Sequence, residues 1–206
     1  MKALVTGFEP FGGESVNPAL EAVLRLPPRL GALEIATASL PSVFGRAVAA
    51  LEDALVATRP DIVLCVGNSL VHAAGRDAMV DALTGLRRMA RPGGHVVIDS
   101  RNWEKLNAER RIVRVANRVL TRHGRRCLSF YAWEIPARLH DEHVAHIAFV
   151  FEDGAWVETH EYPISFRPFT VAELRERLEL AGLREVDNDF DESRDQYCLV
   201  AEATPA

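Results

Sequence analysis

The strongest constraint on the fold is the alternation of short apolar runs with amphipathic helical segments in the first half of the chain. Lys2–Thr6 is an apolar run that ends at a glycine, which is typical of a buried parallel strand. Asn17 and Pro18 then supply an N-cap and a first helical residue, and the apolar spacing predicts a helix that stops before Pro27. This order predicts an α/β fold.

The alternation continues to about residue 99. Further strands are predicted over Leu33–Leu40, Asp61–Val66 and His95–Asp99. Ser42 is predicted to cap a helix that starts at Val43, and another helix is predicted over Arg76–Met89. Because helices that connect parallel strands cross over the sheet, we expect a mostly parallel sheet with helices on both faces.

The second half of the chain has longer β-rich runs separated by short turns. The runs are Cys127–Ile135, Val144–Phe151 and Trp156–Ser165, and they predict antiparallel strands. Thr170 and Glu173 form a capping box for a helix over Val171–Ala181, which Gly182 ends. Leu183–Asp187 and Gln196–Ala203 are predicted as a final strand pair.

No repeat or Ser/Gly-rich linker separates the two halves. The chain is therefore predicted to be one domain over residues 1–206, with an N-terminal part at 1–66 and a C-terminal part at 67–206. The two parts are expected to share one sheet in which Asp61–Val66 is an interior strand.

Composition limits the partners of this protein. The chain has 206 residues, 48% of them hydrophobic, and a net charge of −5, which gives no electrostatic basis for binding nucleic acid or an anionic membrane. A small molecule is the expected partner, and the oligomeric state is left open. The three cysteines have no C-x-x-C spacing, so reduced thiols and a cytoplasmic location are predicted.

Two clusters of polar residues are interpreted as structural. The arginines between positions 110 and 126 have no interleaved aromatic residues, so they are predicted to form a solvated helix face. His140, His143 and His146 recur every three residues, which places neighbours on opposite faces of a strand. No metal site is therefore predicted.

The segment Thr6–Gly13, followed by Asn17 and Pro18, resembles the N-terminal signature of pyroglutamyl peptidases. The resemblance covers residues 1–67 and implies that Phe8 and Phe11 line the pocket for the flat lactam ring.

Catalysis in that family needs a cysteine thiolate, a histidine and an acidic residue. The family's motifs for all three are absent from this chain. Cys65, Cys127 and Cys198 are therefore interpreted as small buried hydrophobic residues.

The segment Asp61–His72, then the turn Arg91–Gly94 and the run Val97–Asn102, resembles the later part of an S-adenosylmethionine-dependent methyltransferase of the glycine/sarcosine N-methyltransferase type. The resemblance covers residues 61–206 and implies a Rossmann-like fold. It also implies an S-adenosylmethionine cofactor, assigned to residues at the strand ends: Gly7, Gly67, Asn68 and Ser69.

Side chains at the ends of two predicted strands are the candidate catalytic and substrate-binding groups. Asn68 and His72 follow one strand, where open α/β sheets bind ligands, and are predicted to hold the substrate amine. Arg101 ends the next strand, and its guanidinium can grip a carboxylate through two hydrogen bonds. Further substrate-binding candidates are Asn102, Tyr162 and Arg167.

Two methyltransferase features are missing. The first loop has no D/E-x-G-x-G-x-G motif, and the second strand ends at Leu40-Pro41 without a carboxylate. Three hypotheses are left open: N-methylation of a small amino acid such as glycine or sarcosine, pyroglutamyl peptidase activity, and a catalytically inactive chimera. Whether a composite origin is natural or engineered is also open.

Overall fold

The computed structural model describes residues 1–10, 15–43, 45–115, 119–122, 124–153 and 156–204. The side chains at positions 18, 19, 120, 122, 152, 153 and 156–162 lie outside this description. The strands within these ranges are β1 (Lys2–Phe8), β2 (Arg29–Leu30), β3 (Leu33–Leu40), β4 (Ile62–Cys65), β5 (His95–Arg101), β6 (Val113–Val115), β7 (Leu120–Arg122), β8 (Arg125–Glu134), β9 (His143–Asp153), β10 (Trp156–Phe166), β11 (Leu183–Asn188) and β12 (Gln196–Ala203).

Four of the five α-helices within the described ranges lie near the signals that predicted them, and the helix over Trp103–Glu109 was not predicted. The helices are α1 (Pro18–Leu24), α2 (Arg46–Thr58), α3 (Arg76–Met89), α4 (Trp103–Glu109) and α5 (Val171–Leu180), with a short 3-10 helix over Ser69–His72. The capping box of α5 is confirmed: the Thr170 hydroxyl accepts from Glu173 N, and the Glu173 carboxylate accepts from Thr170 N. Gly182, with φ of 75°, follows this helix, as predicted.

A seven-stranded sheet forms the centre of the fold, in the order β11-β12-β5-β4-β1-β3-β2. β1, β3, β4 and β5 are parallel, whereas β12 is antiparallel to both of its neighbours. β4 lies between β1 and β5, so the predicted interior strand at the junction of the two halves is confirmed. The strand order reverses between β1 and β4, which is where open α/β sheets bind ligands.

The remaining strands form a second, antiparallel sheet in the order β10-β9-β8-β6, with β7 also paired to β8. The expectation of a single sheet is therefore wrong for this part of the chain. The physical reason is that β12 already pairs with the free side of β5, while β8, β9 and β10 satisfy one another's backbone hydrogen bonds as antiparallel neighbours. The mixed α/β fold class is confirmed.

The buried core contains side chains from both sheets. Ile98 on β5 and Leu83 on α3 are fully buried beneath the first sheet. They belong to the same buried cluster as Trp133 and Phe166 of the second sheet. Trp103, at the start of α4, lies between these two groups. The division of the chain into domains stays a prediction.

Two predicted elements differ from the structure. Gly45 rather than Ser42 precedes α2, because the Ser42 hydroxyl instead donates to Glu9 O at 2.7 Å and ties together the loops after β1 and β3. The basic run is not a helix face, since its described residues after the end of α4 lie largely in β6, β7 and the start of β8. Pairing with β8 overrides the helical spacing of these arginines.

Candidate functional site

Parallel strands of the first sheet bring the predicted site residues to one edge. Gly7 and Phe8 end β1, Asn68 follows β4, and Arg101 ends β5. The second sheet lies over the end of β5, because Trp133 and Phe166 pack on Trp103, two residues after Arg101.

Asn68 joins the ends of β4 and β5. Its backbone N–H donates to Asp99 Oδ1 at 2.7 Å, and its side-chain Oδ1 accepts from Arg101 N at 3.0 Å. Asn68 adopts a left-handed conformation with φ of 58°, which turns the chain sharply into the 3-10 helix. Asn68 therefore fixes the position of Arg101 relative to the end of β4.

His72 is an exposed histidine with a defined tautomer. Its Nδ1 lies 3.0 Å from Ser165 O, and because a carbonyl only accepts hydrogen bonds, Nδ1 carries the proton. The ring packs on Phe166 with 4.8 Å between centroids. In the neutral form of the ring the lone pair is then on Nε2, which can accept a proton from a ligand.

Arg101 carries a half-buried guanidinium that forms no ion pair with the residues that the structure describes. Its carbon Cζ lies 5.0 Å from the Trp133 ring centroid and 5.7 Å from that of Trp103. Two of its nitrogens, Nε and Nη1, are buried and find no hydrogen-bond partner among the residues that the structure describes. Burial, followed by the charge of Arg114, lowers the pKa of Arg101 below its ordinary value.

The aromatic neighbours of Arg101 were not predicted as site residues. Tyr131 and Trp133 are two residues apart on β8 and therefore point to the same face, and Arg114 on β6 pairs with Tyr131. The alternation of side chains along residues 125–134 could have indicated that Tyr131 and Trp133 share a face of a strand. It could not indicate that this face contacts the end of β5.

Asn102 has a structural role at the start of α4. It is 3% exposed, its Oδ1 accepts from Lys105 N at 3.0 Å, and its Nδ2 donates to Arg194 O at 3.2 Å. Its backbone N–H donates to Asp195 O at 2.9 Å. Asn102 thus caps the helix and holds the loop before β12, and its substrate contact stays a prediction.

The remaining substrate candidates are spread around this edge. Arg167 is exposed, with Nη2 3.7 Å from Glu142 Oε1, and its backbone N–H donates to Val71 O. Tyr162 pairs in register with Ile147, but its side chain lies outside the described residues, as does all of Phe11. Their roles stay predictions.

A cavity of about 450 Å³ lies beside the ends of β1 and β3. Its lining is mostly apolar and consists of Phe8, Pro41, Ser42, Val43, Gly45, Ala47 and Val48. Nearby, Gly67 has φ of 78°, and a side chain there would meet only Ser69 Oγ, at 3.9 Å. This edge can therefore admit a flat apolar group close to the backbone.

The same edge would have to hold the nucleoside of S-adenosylmethionine. Ribose hydroxyls are usually held by a carboxylate at the end of the second parallel strand. Here β3 ends at Leu40, and Ser42 uses its hydroxyl on Glu9 O. The described residues at the end of β3 therefore do not fit a ribose. The neighbouring apolar cavity offers about 450 Å³ to a flat group such as a base.

The cysteines are not arranged as nucleophiles. Cys65 lies within β4, and burial, aided by the charge of Asp99, raises the pKa of its thiol. Cys127 is 2% exposed. Nδ1 of His72 and Nδ1 of His143 are bonded to backbone carbonyls.

In the part of the chain that the structure describes, no group of three potential metal ligands occurs.

The N-terminal sequence is similar to pyroglutamyl peptidases. Residues 1–90 match the family model described as pyroglutamyl peptidase. The pyrrolidone-carboxylate peptidase of Levilactobacillus brevis is 46% identical over 79 residues, which cover 38% of this chain and 37% of that protein. The one from Thermosipho africanus is 49% identical over 69 residues, 34% of each chain. The chain thus spans about a third of the length of the curated relatives it matches. The predicted N-terminal resemblance is confirmed and extends to residue 90.

The fold is that of S-adenosylmethionine-dependent methyltransferases. One from Clostridium acetobutylicum gives a TM-score of 0.63 at 10% identity, covering 99% of this chain and 85% of that one. The amino pentose methyltransferase CalS10 from Micromonospora echinaspora, solved with S-adenosylmethionine bound, gives a TM-score of 0.56 at 15% identity, covering 97% of this chain and 73% of that one. The methyltransferase CcbJ from Streptomyces caelestis gives a TM-score of 0.57 at 18% identity, covering 84% of this chain and 76% of that one. Identities this low establish the fold alone.

Among the described residues, the helices are too short or too polar to cross a lipid bilayer.

Proposed function

We propose that this protein binds a small amino acid, such as glycine or sarcosine, and presents its amine for N-methylation with S-adenosylmethionine as methyl donor. The observation that carries the proposal is the guanidinium of Arg101, whose buried Nε and Nη1 have no partner among the described residues. A half-buried cation with unused N–H donors is suited to an anionic ligand. Methyl transfer as the reaction class is supported by the fold neighbours.

Arg101 would hold the carboxylate of the amino acid. A guanidinium offers several N–H donors in one plane, so a carboxylate can accept two of them at once. The indole rings of Trp103 and Trp133 lie beside the group, 5.7 and 5.0 Å from its Cζ. Asn68 helps to position Arg101, since its Oδ1 accepts a hydrogen bond from Arg101 N and fixes the backbone there.

His72 would remove the proton from the substrate amine. Nitrogen must be unprotonated to attack a methyl group, because the attack uses its lone pair. In the neutral ring, Nε2 of His72 can take that proton. Phe166 packs against both the His72 ring and the Trp103 ring, at 4.8 and 5.4 Å, so the proton acceptor and the carboxylate site lie on the same aromatic cluster.

The residues assigned to the methyl donor support the proposal less strongly than those assigned to the amino acid. The cofactor residues assigned from the sequence are Gly7, Gly67, Asn68 and Ser69, all at the ends of β1 and β4. Because the described residues at the end of β3 offer the ribose no carboxylate, we expect low affinity for S-adenosylmethionine.

Titration calorimetry with glycine and sarcosine tests the acceptor site, and labelled S-adenosylmethionine then tests transfer. We expect saturable binding of both amino acids and none of glycinamide, which has the amine but no carboxylate. Labelled methyl groups should then appear on glycine. Absence of amino-acid binding would reject the site at Arg101. Binding without transfer at saturating donor would reject methylation and leave the amino-acid site in place.

Pyroglutamyl peptidase activity is the second candidate, because residues 1–90 match that family. We predict that hydrolysis of a fluorogenic pyroglutamyl amide will not exceed the uncatalysed rate. The raised pKa of Cys65 keeps its thiol protonated, and a protonated thiol is a poor nucleophile. Turnover that disappears in Cys65→Ala and persists in Cys198→Ala would show that this prediction is wrong.

A further inference from the structure

We infer that Arg114 provides a second cationic contact in the same site, so that the preferred ligand is an amino acid with an acidic side chain. The inference rests on the proposed function, because it assumes that Arg101 holds the ligand's main carboxylate.

The strand register places Arg114 beside Arg101. Arg114 on β6 pairs with Tyr131 on β8, and Tyr131 shares its face of the sheet with Trp133. The Arg101 guanidinium lies 5.0 Å from the Trp133 ring centroid. Arg114 therefore extends from the antiparallel sheet towards the side of the site that Arg101 occupies from β5.

A second set of contacts leads to the same placement. Arg114 Nη2 donates to Asp195 Oδ2 at 3.1 Å. The backbone carbonyl of Asp195 accepts from Asn102 N, and the next residue, Gln196, pairs in register with Arg101. The ion pair thus anchors the Arg114 side chain next to the strand end that carries Arg101.

This cluster has more positive than negative groups. Asp195 forms ion pairs with both Arg114 and Lys105, and the Lys105 Nζ lies 2.7 Å from Asp195 Oδ1. Glu109 likewise forms ion pairs with both Lys105 and Arg111. Among the described residues, the side chains linked by these ion pairs, together with Arg101, are four cations and two carboxylates.

The excess of two positive charges determines the ligand class. Glycine carries one carboxylate and one protonated amine, so it leaves this excess unchanged and reaches only one guanidinium group. An amino acid with a second acidic group carries a net charge of −1, lowers the excess to one, and offers a carboxylate to each guanidinium group. Since Arg101 is half-buried, its charge is only weakly screened by solvent, and this favours the more acidic ligand.

Calorimetry with aspartate and its uncharged isostere asparagine tests the inference directly on the wild-type protein. We expect aspartate to bind about 10-fold more tightly, as one additional charge-assisted contact implies. Arg114→Gln should abolish this preference. The matched control is Arg111→Gln, which removes the same charge from a more exposed arginine of the cluster and should keep the preference.

Each alternative result contradicts a different part of the argument. If glycine binds and aspartate binds no more tightly than asparagine, the second cationic contact is wrong while the proposed function stands. If the preference survives in Arg114→Gln, the assignment to Arg114 is wrong. If no amino acid binds the wild-type protein, both the inference and the proposed function fail.

Discussion

Replacing Trp103 with alanine is expected to lower the free energy of unfolding by about 3–5 kcal/mol. Trp103 is 1% exposed, and its ring packs on Trp133 of β8, His143 of β9 and Phe166 of β10, with centroids 6.1, 6.1 and 5.4 Å away. Truncation leaves a cavity between α4 and three strands of the second sheet. Contacts between the two sheets are therefore lost together with the buried area of the ring.

Urea unfolding of the wild type and Trp103→Ala measures this loss. Trp103→Phe should cost less, since it keeps a ring and removes Nε1, a buried donor without a partner among the described residues. Leu180→Ala is the control, because Leu180 is 58% exposed on α5, and it should change stability by at most about 0.5 kcal/mol. A loss below about 1 kcal/mol in Trp103→Ala would show that this junction contributes little to stability.

Local signals predicted most of the secondary structure. The bounds of Leu33–Leu40 and Arg76–Met89 agree with the sequence-based prediction, because turn residues and apolar periodicity mark their ends. Ser42 shows the limit of such signals. Its hydroxyl can cap a helix, but in the folded chain it bonds Glu9 O, a partner that helical spacing does not identify.

Only the part of the site that depends on local signals could be predicted from the sequence. Asn68 and Arg101 follow strands, and parallel strands bring their ends to one edge, so their proximity could be expected. Trp133 and Arg114 belong to a separate sheet whose docking on the first sheet depends on long-range packing. No local pattern indicates that a tryptophan of β8 will lie over an arginine of β5.

The N-terminal sequence match and the overall fold point to different families. Residues 1–90 match pyroglutamyl peptidases, yet the described part of this segment forms β1 to α3 of a sheet whose overall fold is that of methyltransferases. Fold and activity are therefore separable here, and the activity must be argued from side chains such as Arg101.

Replacing Arg101 with lysine is expected to weaken glycine and sarcosine binding by about 10- to 100-fold, the effect of losing one charge-assisted hydrogen bond. Lysine keeps the charge, but its ammonium cannot offer two parallel N–H donors to a carboxylate. Stability should hardly change, since the buried Nε and Nη1 make no hydrogen bonds to the described residues that the substitution could remove.

Calorimetry with both amino acids and urea unfolding of the same samples separate a binding role of Arg101 from a structural one. Arg184→Lys is the control, because Arg184 is exposed and forms an ion pair with Glu202 away from the strand ends that carry the site, so it should leave amino-acid affinity unchanged. If the role of Arg101 were structural, Arg101→Lys would instead lower the stability of the protein with no specific effect on amino-acid affinity. Equal binding by wild type and Arg101→Lys would mean that the carboxylate is held elsewhere. In that case the half-buried guanidinium beside Trp103 and Trp133, which has no partner for Nε and Nη1 among the described residues, would destabilise the fold, and Arg101→Met should then stabilise the protein.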